Sequence, residues 1–188
     1  MSKRKIRIGF DFDGVLFYNP ARVLRPLIYF VKRYFLGIKT TRFYVPKNGF
    51  TQKIAALLHK TSLRPNKGFD EFLKLASHPD YEIYIITARL SFMKKDLEQL
   101  LKKFDISNIK RIVQNIKDEQ PHTFKERLIK ELKLDYFVED NWDIVEHLSK
   151  KTGTTVVWIH NIIDRLFIKY PHHGGNLKDA IRIIKKNI

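Results

Sequence analysis

Five short runs of β-forming apolar residues punctuate this chain, and helix-like stretches fill the intervals between them; no other feature narrows the fold as much. The runs are Ile6–Phe10 (IRIGF), 81–87 (YEIYIIT), 109–114 (IKRIVQ), 134–138 (LDYFV) and 155–160 (TVVWIH), each short enough to be a buried strand. After the second run, Phe92, Met93, Leu97, Leu100, Leu101 and Phe104 recur at a spacing that covers one face of a helix. Strands alternating with helices imply βαβ units. The expected fold is therefore α/β, a three-layer Rossmann-like parallel sheet with helices on both faces. Ligands of such open sheets bind beyond the carboxyl ends of the strands, so polar residues at those ends are the first candidates for chemistry.

The alternation breaks once. Residues 17–65 lie between the first strand and the helix before the second, too long a stretch for a simple crossover, and read as an inserted helical cap. The core is then 1–16 and 66–188, one domain with an insert, as 188 residues allow. Within the insert, 21–38 has the pattern of an amphipathic helix with Arg22, Arg25, Tyr29, Lys32 and Arg33 on one side and Val23, Leu24, Leu27, Ile28, Val31 and Phe35 on the other. A second helix is expected over 50–60.

Charge concentrates in the same place. The chain carries +16, yet 14–69 holds no acidic residue and eleven basic ones, which leaves 25 basic against 20 acidic residues for the rest. A local field of that sign attracts phosphates, nucleic acid or anionic lipid. An insert needs its apolar face for its own packing, which disfavours the reading of a helix lying on a membrane. The longest stretch without Asp, Glu, Lys or Arg is 152–163, short of a membrane-spanning helix. The basic start is followed by an apolar stretch broken by Arg7, Asp11 and Asp13, unlike an export signal. Absence of cysteine excludes disulfides, thiolate zinc, iron–sulfur clusters and a cysteine nucleophile, and suits a reducing compartment. A cytoplasmic protein is the expectation.

Chemistry starts at the end of the first strand. Asp11 and Asp13, two apart, point to one side, and two neighbouring carboxylates call for a metal, a lysine or an acid/base couple. Gly14 follows, where the backbone must turn sharply. The Asp-Phe-Asp-Gly string does not open a calcium loop of the EF-hand kind, because its fifth, sixth and twelfth positions are Val15, Leu16 and Arg22. Gly9 and Gly14 have phosphate-loop spacing, but Val15 and Leu16 stand where Lys and Ser or Thr would be needed. His172-His173-Gly174-Gly175 reads as a turn ahead of Asn176, the expected N-cap of a last helix over 177–186.

The stretch 6–16, IRIGFDFDGVL, resembles the first signature of the haloacid dehalogenase-like (HAD) hydrolase superfamily, an apolar strand ending in Asp-x-Asp-Gly followed by Thr or Val. Residues 83–89, IYIITAR, look like the second signature, an apolar strand ending in Thr or Ser, and 135–141, DYFVEDN, look like the fourth, a strand ending in an acidic pair. The third is a lone lysine on the helix before the fourth strand. Lys125 is the candidate, ahead of Lys117 and Lys130: Thr123 and Glu126 have capping-box spacing, so the helix is expected to begin at Thr123 and to hold Lys125 in its first turn, where a cation opposes the helix dipole unless an anion is near.

The resemblance implies a magnesium-dependent phosphatase. Asp11 would be the nucleophile forming an aspartyl-phosphate, and Asp13 the acid that protonates the leaving oxygen and then the base that activates water. Mg2+ would be held by the Asp11 carboxylate, the Asp13 backbone carbonyl and Asp140, with Glu139 behind the metal. Thr87 and the N–H of Ala88 would bind the phosphate, and Lys125 would neutralise the developing charge. Asp143 suits the first turn of a helix over 142–150 and is left out of the metal set. The substrate would be a phosphorylated small molecule. The Glu-Asp-Asn form of the fourth signature is similar to that of 5′-nucleotidase relatives, which suggests a nucleotide. Two alternatives keep the same scaffold: a phosphotransferase, and a nucleic-acid- or partner-binding module with little catalysis.

Overall fold

The computed structural model describes residues 4–19, 43, 45–46, 48–60, 64–104 and 106–188. Its strands are β1 (Ile6–Phe10), β2 (Phe17–Tyr18), β3 (Arg64–Pro65), β4 (Tyr81–Leu90), β5 (Arg111–Asn115), β6 (Tyr136–Glu139), β7 (Thr155–Ile159) and β8 (His173–Gly174). Its helices are α1 (Gly49–Lys60), α2 (Phe69–Ala76), α3 (Lys94–Lys103), α4 (Pro121–Leu132), α5 (Trp142–Lys151), α6 (Ile162–Phe167) and α7 (Leu177–Lys186). Six strands make one sheet in the order β5-β4-β1-β6-β7-β8, parallel throughout. The chain builds outward from β1 to β4 and β5, then returns to lay β6 on the other flank. The strand order reverses beside β1, and its carboxyl end is therefore the place where a crevice opens.

Alternation of side chains explains why both faces are covered. Ile8, Phe10, Ile83, Ile85, Val138, Val157 and Ile159 belong to one apolar cluster, with Phe72 of α2, Leu97 of α3 and Ile181 of α7. Their strand neighbours Tyr84, Ile86, Phe137, Val156 and Trp158 belong to the other, with Phe124 and Leu128 of α4 and Val145 and Leu148 of α5. Successive strand residues thus serve opposite layers, and a one-residue slip would exchange every one of them. Gly9 in β1 is the small residue of this pattern. A Cβ there would meet the Leu134 side chain at 2.6 Å and the Phe137 ring at 2.7 Å, so both buried side chains would have to shift.

The expected α/β architecture is the one observed. At the site of the break in alternation, Phe17 pairs with Pro65 and Tyr18 with Arg64, an antiparallel ribbon that sets the two ends of the intervening segment side by side. Helix α1 matches the helix expected over 50–60, while the one expected over 21–38 lies outside the described residues. Three local expectations are corrected. Helix α4 starts at Pro121, not Thr123: proline at the first helical position is preorganised for it, the Thr123 hydroxyl donates to the Gln120 carbonyl at 2.9 Å, and no capping box forms. Lys125 consequently falls in the second turn. Strand β4 runs on to Leu90 through an irregularity between Thr87 and Leu90. His173–Gly174 is a short sheet-edge strand and not a turn, because Trp158 N–H and His160 N–H donate to the carbonyls of His172 and Gly174. Helix α7 begins as expected, with Asn176 accepting from Asp179 N–H. Among the described residues no helix is long and apolar enough to cross a membrane.

Candidate active site

Asp11 is the first residue past β1, and its own N–H donates to the Val138 carbonyl at 3.0 Å, which extends the β1–β6 pairing and fixes where its carboxylate starts. It follows Phe10, the partner of Val138 in β6 and of Ile85 in β4. Glu139 and Asp140 therefore come up beside it on one flank, and Thr87 on the other. By strand alternation Asp11 points to the layer of Gly9 and Phe137, the layer of α4. There Lys125 meets it: the ammonium lies 3.0 Å from the Asp11 carboxylate and 2.6 Å from that of Glu139, and all three side chains are buried.

Glu139 is held from behind. Its second oxygen accepts the N–H groups of Asp140 and Asn141 at 3.1 and 3.0 Å, at the start of α5, where a helix end presents free donors. The same helix is capped by Asn141, which accepts from Asp143 N–H, so Asp143 sits in the first turn as expected and is absent from the acidic cluster found among the described residues. Asp140 lies against the turn after Asp13. A Cβ on Gly14 would come within 2.0 Å of its carboxylate, and Gly14 has φ +88, so only glycine allows the approach.

The resulting group is charge-unbalanced. Oxygens of Asp11, Glu139 and Asp140 lie within 4.8 Å of one another. Burial, the largest influence, pushes the Asp11 carboxyl well up; Lys125 works against this, and Glu139, Asp140 and Asp13 reinforce it. Burial and Asp140 likewise raise Glu139 against the pull of Lys125. For Lys125 burial favours the neutral amine, but the Asp11 and Glu139 charges outweigh it and the ammonium is held well above its ordinary range. Two carboxylates share the Lys125 ammonium and that of Asp140 lies beside them, a hard-oxygen donor set that fits a divalent cation.

Asp13 takes a different partner. Its two oxygens accept from Arg89 Nε and Nη2, each at 2.8 Å, a bidentate pair buried on both sides. Thr87 is buried in β4 where its pairing with β5 becomes irregular, and its hydroxyl oxygen accepts from Arg89 N–H at 3.2 Å; Ala88 lies between them, partly exposed. The structure thus brings Asp11, Lys125 and Asp140 together and adds Glu139 to their cluster, with Asp13 joined to β4 through Arg89. Sequence reasoning gave Arg89 no role. The available signal was a cation ending an apolar strand two residues past the expected phosphate-binding threonine, in a position most arginines would avoid.

No protein-family model matches the sequence, and no curated protein does. Solved structures do. The HAD-hydrolase YfnB from Bacillus subtilis, described as bound to magnesium, aligns over 97% of this chain and 100% of its own with a TM-score of 0.61 at 12% identity. A haloacid dehalogenase-like family hydrolase from Xanthomonas campestris aligns over 99% and 96% with a TM-score of 0.55 at 13% identity. A HAD-superfamily hydrolase from Ehrlichia chaffeensis aligns over 98% of both chains with a TM-score of 0.53 at 13% identity.

Proposed function

From a chain with the HAD-like fold and an acidic crevice at its sheet switch point, we propose a magnesium-dependent phosphomonoester hydrolase that works through an aspartyl-phosphate. The observation that carries this reading is Lys125 between Asp11 and Glu139, since a buried ammonium beside a strand-end aspartate is suited to gathering an incoming phosphoryl group next to a carboxylate nucleophile.

In the first step an Asp11 oxygen attacks phosphorus and the bond from phosphorus to the ester oxygen breaks, while Asp13, which must first be protonated on an oxygen lone pair that Arg89 leaves free, gives that oxygen its proton. In the second, water attacks the same phosphorus, Asp13 takes its proton, and the Asp11–phosphorus bond breaks to release phosphate. Lys125 offsets negative charge as it builds on the phosphoryl oxygens, and Thr87 with the Ala88 N–H orients them. The Asp11 carboxylate, the Asp13 backbone carbonyl and Asp140 would hold the magnesium, with Glu139 behind them. The cation supplies charge neutralisation and a fixed orientation for the phosphoryl group.

Residues 17–65 would serve as the cap that selects substrate. Their acid-free composition favours a substrate with negative charge beyond the reacting phosphate, a nucleotide being the first choice to test. A screen of nucleotides, sugar phosphates and phosphorylated oligonucleotides, run with magnesium and with chelator, tests the reading. Expected are magnesium-dependent phosphate release and its loss in Asp11→Asn with folding retained. Unchanged turnover in that variant would remove the nucleophile assignment, and transfer to an added alcohol in place of water would make the protein a phosphotransferase.

A further inference from the structure

The backbone around Asp13 is fixed by its own turn: Gly14 N–H donates to the Phe17 carbonyl at 2.7 Å, and the Asn66 amide donates to the carbonyls of Gly14 and Val15 at 3.2 and 3.0 Å. A fixed backbone still leaves an aspartate side chain two rotatable bonds. Those are set from another strand. Arg89 grips both Asp13 oxygens, and a planar guanidinium in a two-point contact fixes the plane of the carboxylate as well as its position. The arginine is itself anchored, 2% exposed and with its guanidinium 4.9 Å from the centre of the Phe12 ring. Its direction follows from β4. Thr87 pairs with Gln114 and Leu90 with Asn115, so Ala88 and Arg89 are extra residues in a bulge, a feature that re-aims side chains beside functional sites.

We propose that Arg89 is a positioning residue for Asp13, aimed by the β4 bulge, and that it determines whether the Asp13 carboxyl reaches the leaving-group oxygen. The inference rests on the reading of Asp13 as the acid/base of a phosphatase. Proton transfer needs heavy atoms within about 3 Å, so a carboxyl that can rotate away loses its effect without any change in the nucleophile.

The test compares two esters with magnesium. The leaving group of p-nitrophenyl phosphate departs without a proton, whereas that of glycerol 2-phosphate needs one. Asp13→Asn is the reference, expected to lose about 100-fold or more in kcat/KM on the glycerol ester and under about tenfold on the aryl ester. Arg89→Gln is expected to show the same selectivity, Arg89→Lys a smaller selective loss because one of the two contacts survives, and the double variant Asp13→Asn with Arg89→Gln no further loss. Should Arg89→Gln not fold, the selectivity of Arg89→Lys decides. If Asp13→Asn is selective while the arginine variants lose equally on both esters, the positioning role is overturned and the phosphatase reading stands. If wild-type protein turns over neither ester nor any phosphomonoester of the screen, the phosphatase reading fails and takes the positioning role with it.

Discussion

Lys125 crosses from α4 to Glu139 at the end of β6, 2.6 Å from nitrogen to oxygen, with both side chains buried. The pair closes a short loop of structure, since β6 follows α4 directly, and Asp11 shares the same ammonium from β1. A buried lysine with two carboxylate partners is a committed arrangement: removing one member leaves the others without compensation.

Lys125→Met keeps the length of the side chain and deletes the charge. Breaking a buried ion pair from one side costs about 3–5 kcal/mol, and here two carboxylates are left facing each other. Urea unfolding of metal-free protein should show a loss of about 3 kcal/mol, and magnesium should restore part of it. A loss below about 1 kcal/mol would show that the lysine is not needed to hold the acidic group together.

Gly14→Ala introduces a methyl group where the Asp140 carboxylate lies, at a φ of +88. Backbone strain of this kind costs on the order of 1–3 kcal/mol. Asp140 should move to relieve the contact. The expected outcome is a lowered melting temperature together with a reduced thermal shift on adding magnesium, and a thermal shift equal to that of wild type would count against Asp140 as a cation ligand.

Glu139→Gln preserves an acceptor for the N–H groups of Asp140 and Asn141 and removes one negative charge from the triad. Changes to groups that hold or support a metal commonly cost 10–100-fold in affinity. Titration calorimetry with magnesium should show a fall of about tenfold or more. An unaltered affinity would restrict Glu139 to pairing with Lys125.

His122 provides a pH prediction away from the acidic cluster. Burial and then the neighbouring His147, 4.8 Å between ring centres, lower its proton affinity, while Glu126 raises it. A histidine whose folded value is depressed stabilises the fold fully above its unfolded value of about 6.5, and that contribution is lost as pH falls through the folded value. Between pH 7 and 5, His122→Gln should therefore lose less melting temperature than wild type. Parallel curves for the two proteins would show that His122 does not contribute.

The elements that were legible in the sequence are those whose signal is local. Runs such as IRIGF and TVVWIH are strands because strand length and β-branched composition suffice, and the acids at their ends are exposed to notice by interrupting apolar runs. The Asn176 cap could be read for the same reason, a side chain bonding three residues on. Where the reading failed, competing local signals decided. Thr123 and Glu126 had the spacing of a capping box, yet Pro121 started the helix two residues earlier and so moved Lys125 from its first turn to its second. His173-Gly174 carried turn residues, but an open edge on β7 recruited them as a strand.

By itself the sequence determined the five longer strands of the sheet, their parallel arrangement, and the placement of Asp11 and Asp13 just past the first and of the Glu139–Asp140 pair at the end of another, since all of this follows from short apolar runs alternating with helical stretches along the chain. Only the tertiary structure decided how those acids share their partners: Lys125 with Asp11 and Glu139, Arg89 with Asp13, Gly14 making room for Asp140. The reason is physical. Ion pairs and close approaches depend on separations of a few ångströms between residues dozens of positions apart, and those separations are set by strand order and by a bulge, neither of which leaves a trace in local composition.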